Sequence, residues 1–151
     1  MSKIVHPYAH RLVILRDWKS RWFATPKNFK NTLRGDVLIR AFLTKKLRGS
    51  YVSGIEIERS RKFLRIIIAT SRPGMIIGRS GEGAQKLRET LLKMMVKEGI
   101  KTQEELKIDI TEVTSPESDA AIVAFMVVEG LEKRLPFRRV LKQTVEKVMA
   151  V

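Results

Sequence analysis

The chain contains no cysteine, only two histidines and no long apolar run. Without thiols it can form neither a disulfide scaffold nor a thiolate zinc site, and it has no cysteine nucleophile. The longest apolar segment, residues 120–128, has nine residues, whereas a membrane-spanning helix needs roughly 20. The N-terminus has no apolar signal-peptide core. These absences predict a soluble intracellular protein; the cytoplasm is the expected location, and an organelle stays open.

Acidic residues are also scarce, because 16 Asp+Glu stand against 30 Lys+Arg and leave a net charge of +14. Residues 1–50 hold 12 basic and 2 acidic residues, whereas residues 101–151 hold 8 and 9. Cations alternate with aromatic residues such as Trp18, Trp22 and Phe23, a mixture that suits phosphate contact and base stacking. The charge therefore favours nucleic acid over a membrane surface or an acidic protein. The plainer alternative is a solvated basic surface.

Hydrophobic residues make up 44% of the chain, enough for a core. Residues 1–34, which contain Pro7 and Pro26, are predicted to be extended and irregular. A helix is predicted to begin at Asp36, which can act as its N-cap, and to end at Gly49. Its apolar face would carry Leu38, Ile39, Phe42, Leu43 and Leu47.

Alternating patterns predict strands near residues 55–57 and 64–68, joined by a basic hairpin turn, and a third strand at 106–110. Pro73 suits the first turn of a short helix. An amphipathic helix is predicted over residues 82–98, with one apolar face made of Ala84, Leu87, Leu91, Met94 and Met95.

Two more helices are predicted before the last residue. The first starts at Ser115 and would bury Ala120, Ala124, Val127 and Leu131. Pro136 ends it. The second would bury a stripe made of Phe137, Leu141, Val145 and Val148.

A glycine-rich stretch separates the short helix from the amphipathic one. Gly78 and Gly83 have Walker A spacing, but Ala84 and Gln85 stand where lysine and a hydroxyl residue are required. The order of the glycines is also not that of a Rossmann loop. A Gly-x-x-Gly loop between two helices remains, made of Gly78, Arg79, Ser80 and Gly81.

Such a loop suits a nucleic-acid backbone, because glycines allow close approach and the following helix presents free N–H groups. Arg79 adds a cation and Ser80 a hydrogen-bond donor. After a β-hairpin and before a third strand, this is the arrangement of a KH domain. A plain helix–helix turn is the alternative.

Five blocks of residues, in order, resemble the family of small-subunit ribosomal protein S-three. They are Val5-His6-Pro7 with Arg11-Leu12; Trp18-x-Ser20-x-Trp22-Phe23-Ala24; Arg72-Pro73-Gly74-x-x-Ile77-Gly78-x-x-Gly81; Pro116-Glu117-x-Asp119-Ala120; and Phe137-Arg138-Arg139-x-x-Lys142. The sequence differs from the family pattern at Ala9 and Val13, where glycines are usual. The family also continues into a second domain that this sequence does not include.

The resemblance implies an α+β fold: a type II KH domain, with a three-stranded mixed sheet packed by helices, an N-terminal extension and C-terminal helices. The expected boundaries are 1–37 for the extension, 38–116 for the KH domain and 117–151 for two closing helices.

The resemblance also implies a structural role in the head of the small ribosomal subunit. The expected partners are rRNA, mRNA at its entrance channel and neighbouring ribosomal proteins. In the family, residues that match Arg138, Arg139 and Lys142 are linked to mRNA handling and unwinding. Here Arg138 and Lys142 lie four apart, on a helix face opposite the Phe137 stripe. The remaining predicted RNA contacts are Lys3, Arg11 and Trp22, together with the loop residues Gly78, Arg79, Ser80 and Gly81.

The alternative function is that of a free-standing KH RNA-binding regulator or RNA chaperone. We expect no enzyme activity, cofactor or metal. His6 and His10 are four apart, but Pro7 argues against a regular helix that would hold them as a metal pair.

Overall fold

The computed structural model describes residues 4–60, 62–100 and 105–151. Ten named elements lie in these ranges. They are α1 (Pro7–His10), β1 (Ser20–Arg21), α2 (Pro26–Lys46), β2 (Val52–Arg59), β3 (Phe63–Thr70), α3 (Pro73–Ile77), α4 (Glu82–Lys97), β4 (Glu105–Glu112), α5 (Ala120–Glu132) and α6 (Phe137–Met149). Single 3-10 turns lie at Arg79–Gly81 and Pro116–Ser118.

The sheet has the strand order β1-β2-β3-β4. β2 and β3 are antiparallel, as the predicted hairpin requires, while β4 joins β3 in parallel and makes the sheet mixed. The prediction of three strands missed β1, a two-residue strand that pairs in parallel with β2 at Ile57 and Glu58. So short a strand carries no readable alternation, and its pairing partner lies more than 30 residues away.

The core lies between one face of this sheet and the helices α2 and α4. The predicted apolar face of α4 is confirmed, since Leu91 and Met95 are fully buried there and Leu87 nearly so. The sheet and α2 complete the cluster with Ile39, Leu43, Ile57, Leu64, Ile66, Ile68 and Leu106. Burial of this apolar surface is the main favourable term in folding.

The start of α2 is the largest local correction. The helix begins at Pro26, with Thr25 in extended conformation before it, so Asp36 is an interior residue and not an N-cap. The weak periodicity of residues 26–35 concealed this first half, although a proline at the first helical position is a usual start. The expected boundary between residues 37 and 38 falls inside this helix.

The apolar faces predicted for the last two helices were wrong. In α5 the buried residue is Ile122, while Ala120, Ala124 and Leu131 are exposed. The segment is apolar on every side, and therefore its sequence has no period that selects a face. Asp119 caps this helix by accepting hydrogen bonds from the N–H groups of the first turn.

In α6 the predicted stripe is exposed, from 39% at Val148 to 60% at Phe137, and the buried residue is Val140. The reason is Gly130 in α5, where an added Cβ would lie 2.9 Å from a Val140 methyl group. Because this glycine lets the two helices approach closely, the Val140 side of α6 packs and the Phe137 side does not. No helix in the described residues is long and apolar enough to cross a membrane.

Candidate nucleic-acid interface

The glycine loop joins α3 to α4 through three residues with positive φ angles. Gly78 and Gly81 have positive φ angles of 70° and 82°, and Ser80 has a φ of 52°. Only glycine adopts such angles without strain, whereas serine carries a steric cost. The loop therefore turns sharply and exposes the Arg79 and Ser80 side chains to solvent.

A third glycine, Gly83, fixes the close crossing of α3 and α4. A Cβ at this position would lie 2.5 Å from the carbonyl oxygen of Ile76 and 2.9 Å from that of Ile77. A Cβ at Gly78 would in turn lie 3.1 Å from the backbone nitrogen of Gly83. No role was predicted for Gly83 from the sequence. The only indication of one is that Gly83 is the third glycine within residues 78–83.

The loop leads directly into the positive end of a long helix. Gly81 is the N-cap of α4 and offers no side-chain acceptor to the first-turn N–H groups. Such groups and the helix dipole favour an anion. Glu82 lies in the same turn, but its carboxylate pairs with Lys86 at 2.5 Å. The outer wall is apolar, because Ile77 is 38% exposed while Ile76 points into the core.

The three predicted cations of α6 form a second, separate group. Arg138, Arg139 and Lys142 are all exposed on α6. Arg138 lies 5.8 Å from the centre of the Phe137 ring, and Lys142 has only a long 4.0 Å ion pair with Glu146. All three charges are available to a phosphate chain.

The N-terminal segment holds the remaining predicted contacts. Arg11 is exposed and donates to the carbonyl oxygen of Pro7 at 3.0 Å. Trp22 is half-buried, with its ring centre 5.3 Å from that of Phe29. The predicted contact Lys3 lies outside the described residues.

Trp22 also belongs to a buried polar cluster around Asp36, which sequence reasoning missed. The fully buried carboxylate accepts hydrogen bonds from the Trp22 indole at 2.7 Å and from the Ser20 hydroxyl at 2.9 Å. Arg59 at the end of β2 pairs with it at 2.8 Å. The cluster thus fastens the N-terminal segment to α2 and to the sheet. The sequence does contain an indication of this cluster, because Asp36 is the only acidic residue between positions 18 and 55.

Ion pairs reinforce the short strand β1. Arg21 bridges Asp17 at 2.5 Å, Glu56 at 2.6 Å and Glu58 at 2.8 Å. A hydrogen bond from the Trp18 backbone N–H, together with the Arg21 guanidinium, lowers the pKa of Asp17. These contacts hold the basic segment against the edge of β2.

Asp119 anchors α5 to the same strand. Burial by itself raises the pKa of Asp119, but hydrogen bonds from the Ser53 hydroxyl and from the N–H groups of Ala121 and Ile122 outweigh it, with help from Arg16. The net result is a lowered pKa. The charged form is therefore the one that caps the helix.

One of the two histidines has a structural role. His6 accepts a hydrogen bond at its Nδ1 from the Tyr8 backbone N–H at 3.1 Å and so caps α1. Within ranges 4–60, 62–100 and 105–151, no group of three or more His, Asp or Glu side chains could hold a metal ion.

A mixed sheet packed by α2 and α4, with a glycine turn between α3 and α4, defines the class of KH folds. Residues 38–118 match the family model described as "KH domain". This match covers more than half of the sequence, and the chain belongs to the KH domain family. The predicted α+β KH fold is confirmed.

Curated relatives extend the likeness to both ends of the chain. It is 40% identical to Small ribosomal subunit protein uS3 of Clostridium novyi, over 99% of this chain and 65% of the relative. It is 42% identical to the protein of the same name in Pseudoalteromonas translucida, over 100% of this chain and 62% of the relative. These similarities confirm the resemblance predicted from the five blocks. The chain spans 62–65% of the length of the curated relatives.

Proposed function

We propose that this chain is a structural, non-catalytic component of the small ribosomal subunit, where it binds rRNA in the head. The observation that carries the proposal is the identity of 38–42% to uS3 proteins over at least 99% of the chain. The proposed partners are rRNA and the neighbouring proteins of the head, and the proposed location is the cytoplasmic ribosome.

The glycine loop supports an RNA-binding role on physical grounds. At Gly78 and Gly81 no Cβ separates the backbone from a ligand, so a sugar-phosphate chain can approach closely. The first-turn N–H groups of α4 can bind phosphate oxygens, while Arg79 supplies a cation and Ser80 a hydroxyl. Such contacts position RNA without reading its bases.

The cations of α6 support a finer proposal: a contact with mRNA at its entrance channel. Arg138 and Lys142 lie one helical turn apart, and Arg139 lies about 100° round the axis from Arg138. A row of three exposed cations can follow one strand of a phosphate backbone. By holding one strand of the incoming mRNA, such a row would favour separated strands over a folded hairpin.

The test is to express a tagged form of the protein in its native cells and to sediment the cell lysate on a sucrose gradient. We expect the protein to co-sediment with small subunits and to crosslink at one dominant rRNA site in the head. A protein that remains at the top of the gradient, with crosslinks spread over many mRNAs, would instead support a free-standing KH regulator or RNA chaperone.

A further inference from the structure

Helix α2 carries a one-sided row of positive charges that none of the predicted contacts includes. Lys27, Lys30, Arg34 and Lys45 are all exposed. At 100° per residue they fall within about 60° of one another round the helix axis. The opposite side of the helix holds its buried residues, Asp36, Ile39 and Leu43. We refer to these four cations as the outer stripe of α2.

The outer stripe lacks the acidic residues that a solvated helix face usually contains. Between positions 18 and 55 the only acid is Asp36, which is buried and paired with Arg59. Within the part of the chain that the structure describes, no stripe residue takes part in an ion pair. Helix α4 differs, because its exposed cations are interspersed with Glu82 and Glu89. A face of one sign attracts a polyanion, whereas a mixed face keeps a protein soluble.

The charges form two groups along the helix. With a rise of 1.5 Å per residue, Lys27 and Arg34 lie about 10 Å apart along the axis, and Lys45 follows about 16 Å after Arg34. Lys46 is exposed beside Lys45, while Arg48, just after the helix, forms an ion pair with Glu132. Between the groups the stripe is neutral and is filled by Val37 and Ala41. Two cationic ends with a neutral centre match two phosphate strands that flank a shallow groove.

We propose that α2 lies across the minor groove of an A-form RNA duplex. Lys27, Lys30 and Arg34 contact one phosphate strand and Lys45 contacts the other, while Val37 and Ala41 face the groove floor. The A-form minor groove is wide and shallow, and proteins recognise it by shape and by its phosphates. The inference rests on the proposed function only in that the ligand is RNA.

Two features favour a duplex over other polyanions. No aromatic side chain lies in the outer stripe, so a single strand would find no base-stacking platform there. A membrane-bound helix inserts the face opposite its cations into the lipid. In α2 that face is buried in the domain by Ile39 and Leu43.

The test compares two variants of the 151-residue chain with equal loss of charge. The first replaces the outer stripe: Lys27→Gln, Lys30→Gln, Arg34→Gln and Lys45→Gln. The control replaces four exposed cations of α4: Lys86→Gln, Arg88→Gln, Lys93→Gln and Lys97→Gln. Circular dichroism checks that both remain folded. Affinities are measured by fluorescence anisotropy for a 20-base-pair RNA duplex without loops, for a single-stranded RNA of equal length and for vesicles that contain phosphatidylserine.

We expect the stripe variant to lose at least about tenfold in duplex affinity, with a salt slope smaller by about 3 to 4, because each lost phosphate contact removes nearly one unit. Its single-strand affinity should remain close to that of the unmodified chain. The inference is overturned if the unmodified chain does not bind the duplex, if the α4 control weakens duplex binding equally, or if only vesicle binding depends on the stripe. Failure of the unmodified chain to bind either RNA would instead contradict the proposed RNA-binding function.

Discussion

The indole Nε1 of Trp22 donates a 2.7 Å hydrogen bond to the fully buried carboxylate of Asp36. Trp22 was predicted as an RNA contact, and the structure gives its polar edge a partner inside the protein. The half-buried ring still presents surface beside Phe29. The same bond ties the N-terminal segment to α2, so the presentation of its cations depends on a buried polar cluster.

Replacing Asp36 by asparagine should strongly destabilise the fold. Asp36 is fully buried and pairs with Arg59, whose side chain is only 11% exposed, and breaking a buried pair costs about 3–5 kcal/mol. Urea unfolding measures the change. The control is Asp17→Asn, at an exposed carboxylate, where a much smaller effect is expected. Equal effects at the two positions would contradict the central role assigned to Asp36.

Three glycine-to-alanine variants separate close packing from backbone strain. Gly83→Ala should cost about 1–3 kcal/mol, because its Cβ would collide with the carbonyl of Ile76 and overpack the crossing. Gly81→Ala has open space but a positive φ, and should cost about 1–2 kcal/mol.

Gly74→Ala is the matched control, since it has neither a near neighbour nor a positive φ. Its effect on the free energy of unfolding should stay within about 0.5 kcal/mol. If Gly83→Ala unfolds at the same urea concentration as this control, the two helices adjust freely and the close crossing is not required.

Acidic residues in the glycine loop should weaken RNA binding without unfolding the domain. Arg79→Asp with Ser80→Asp places two carboxylates at exposed positions, where they repel phosphate, and aspartate tolerates the left-handed backbone of residue 80 better than most residues. We expect at least about tenfold lower affinity for single-stranded RNA.

The control for this loop variant is Ser60→Asp with Lys62→Asp, which makes the same change in charge at exposed positions of the β2–β3 hairpin. Anisotropy measures both affinities. An equal loss in the control would mean that net charge, and not the loop, determines binding.

Removing the α6 cations should affect mRNA movement more than assembly. The triple variant combines Arg138→Ala, Arg139→Ala and Lys142→Ala. Because only exposed side chains are lost, subunits that contain it should assemble normally. Ribosomes with this variant should pass a stable mRNA hairpin more slowly, in a translation time course, than ribosomes with Arg88→Ala, Lys93→Ala and Lys97→Ala. Unchanged passage would remove α6 from the proposed mRNA path.

Asp119 should contribute to stability in a pH-dependent manner. Because its pKa is lowered in the folded protein, its contribution is fully present above the usual aspartate pKa and is lost as the pH falls below about 4. Asp119→Ala removes the cap of α5 and should cost about 1 kcal/mol at pH 7.

Asp119→Asn keeps a capping acceptor but removes the charge, which isolates the effect of ionisation. The difference between this variant and the unmodified chain, measured by urea unfolding, should shrink between pH 7 and pH 3. A difference that stays constant would show that ionisation of Asp119 does not stabilise the fold.

Helix α4, the β-hairpin and the glycine loop could be predicted because their determinants are local. The apolar spacing of Leu87, Leu91 and Met95 has the helical period, and two glycines mark the loop between the helices. The features that were missed depend on contacts between different elements of the fold. Arg59 meets Asp36 across 23 positions, and Gly83 acquires its role only because the carbonyl of Ile76 lies above it.

The amino-acid sequence by itself determined the basic character of the chain, the KH order of its elements and the Gly-x-x-Gly turn, because charge, periodicity and glycine's freedom are properties of single residues and their near neighbours. Only the tertiary structure decided which faces of α5 and α6 are buried. In α6 the close approach at Gly130 buries Val140 and leaves the more apolar Phe137 side exposed. In α2 the burial of Asp36, Ile39 and Leu43 turns the opposite side of the helix, which carries the four cations of the outer stripe, toward solvent.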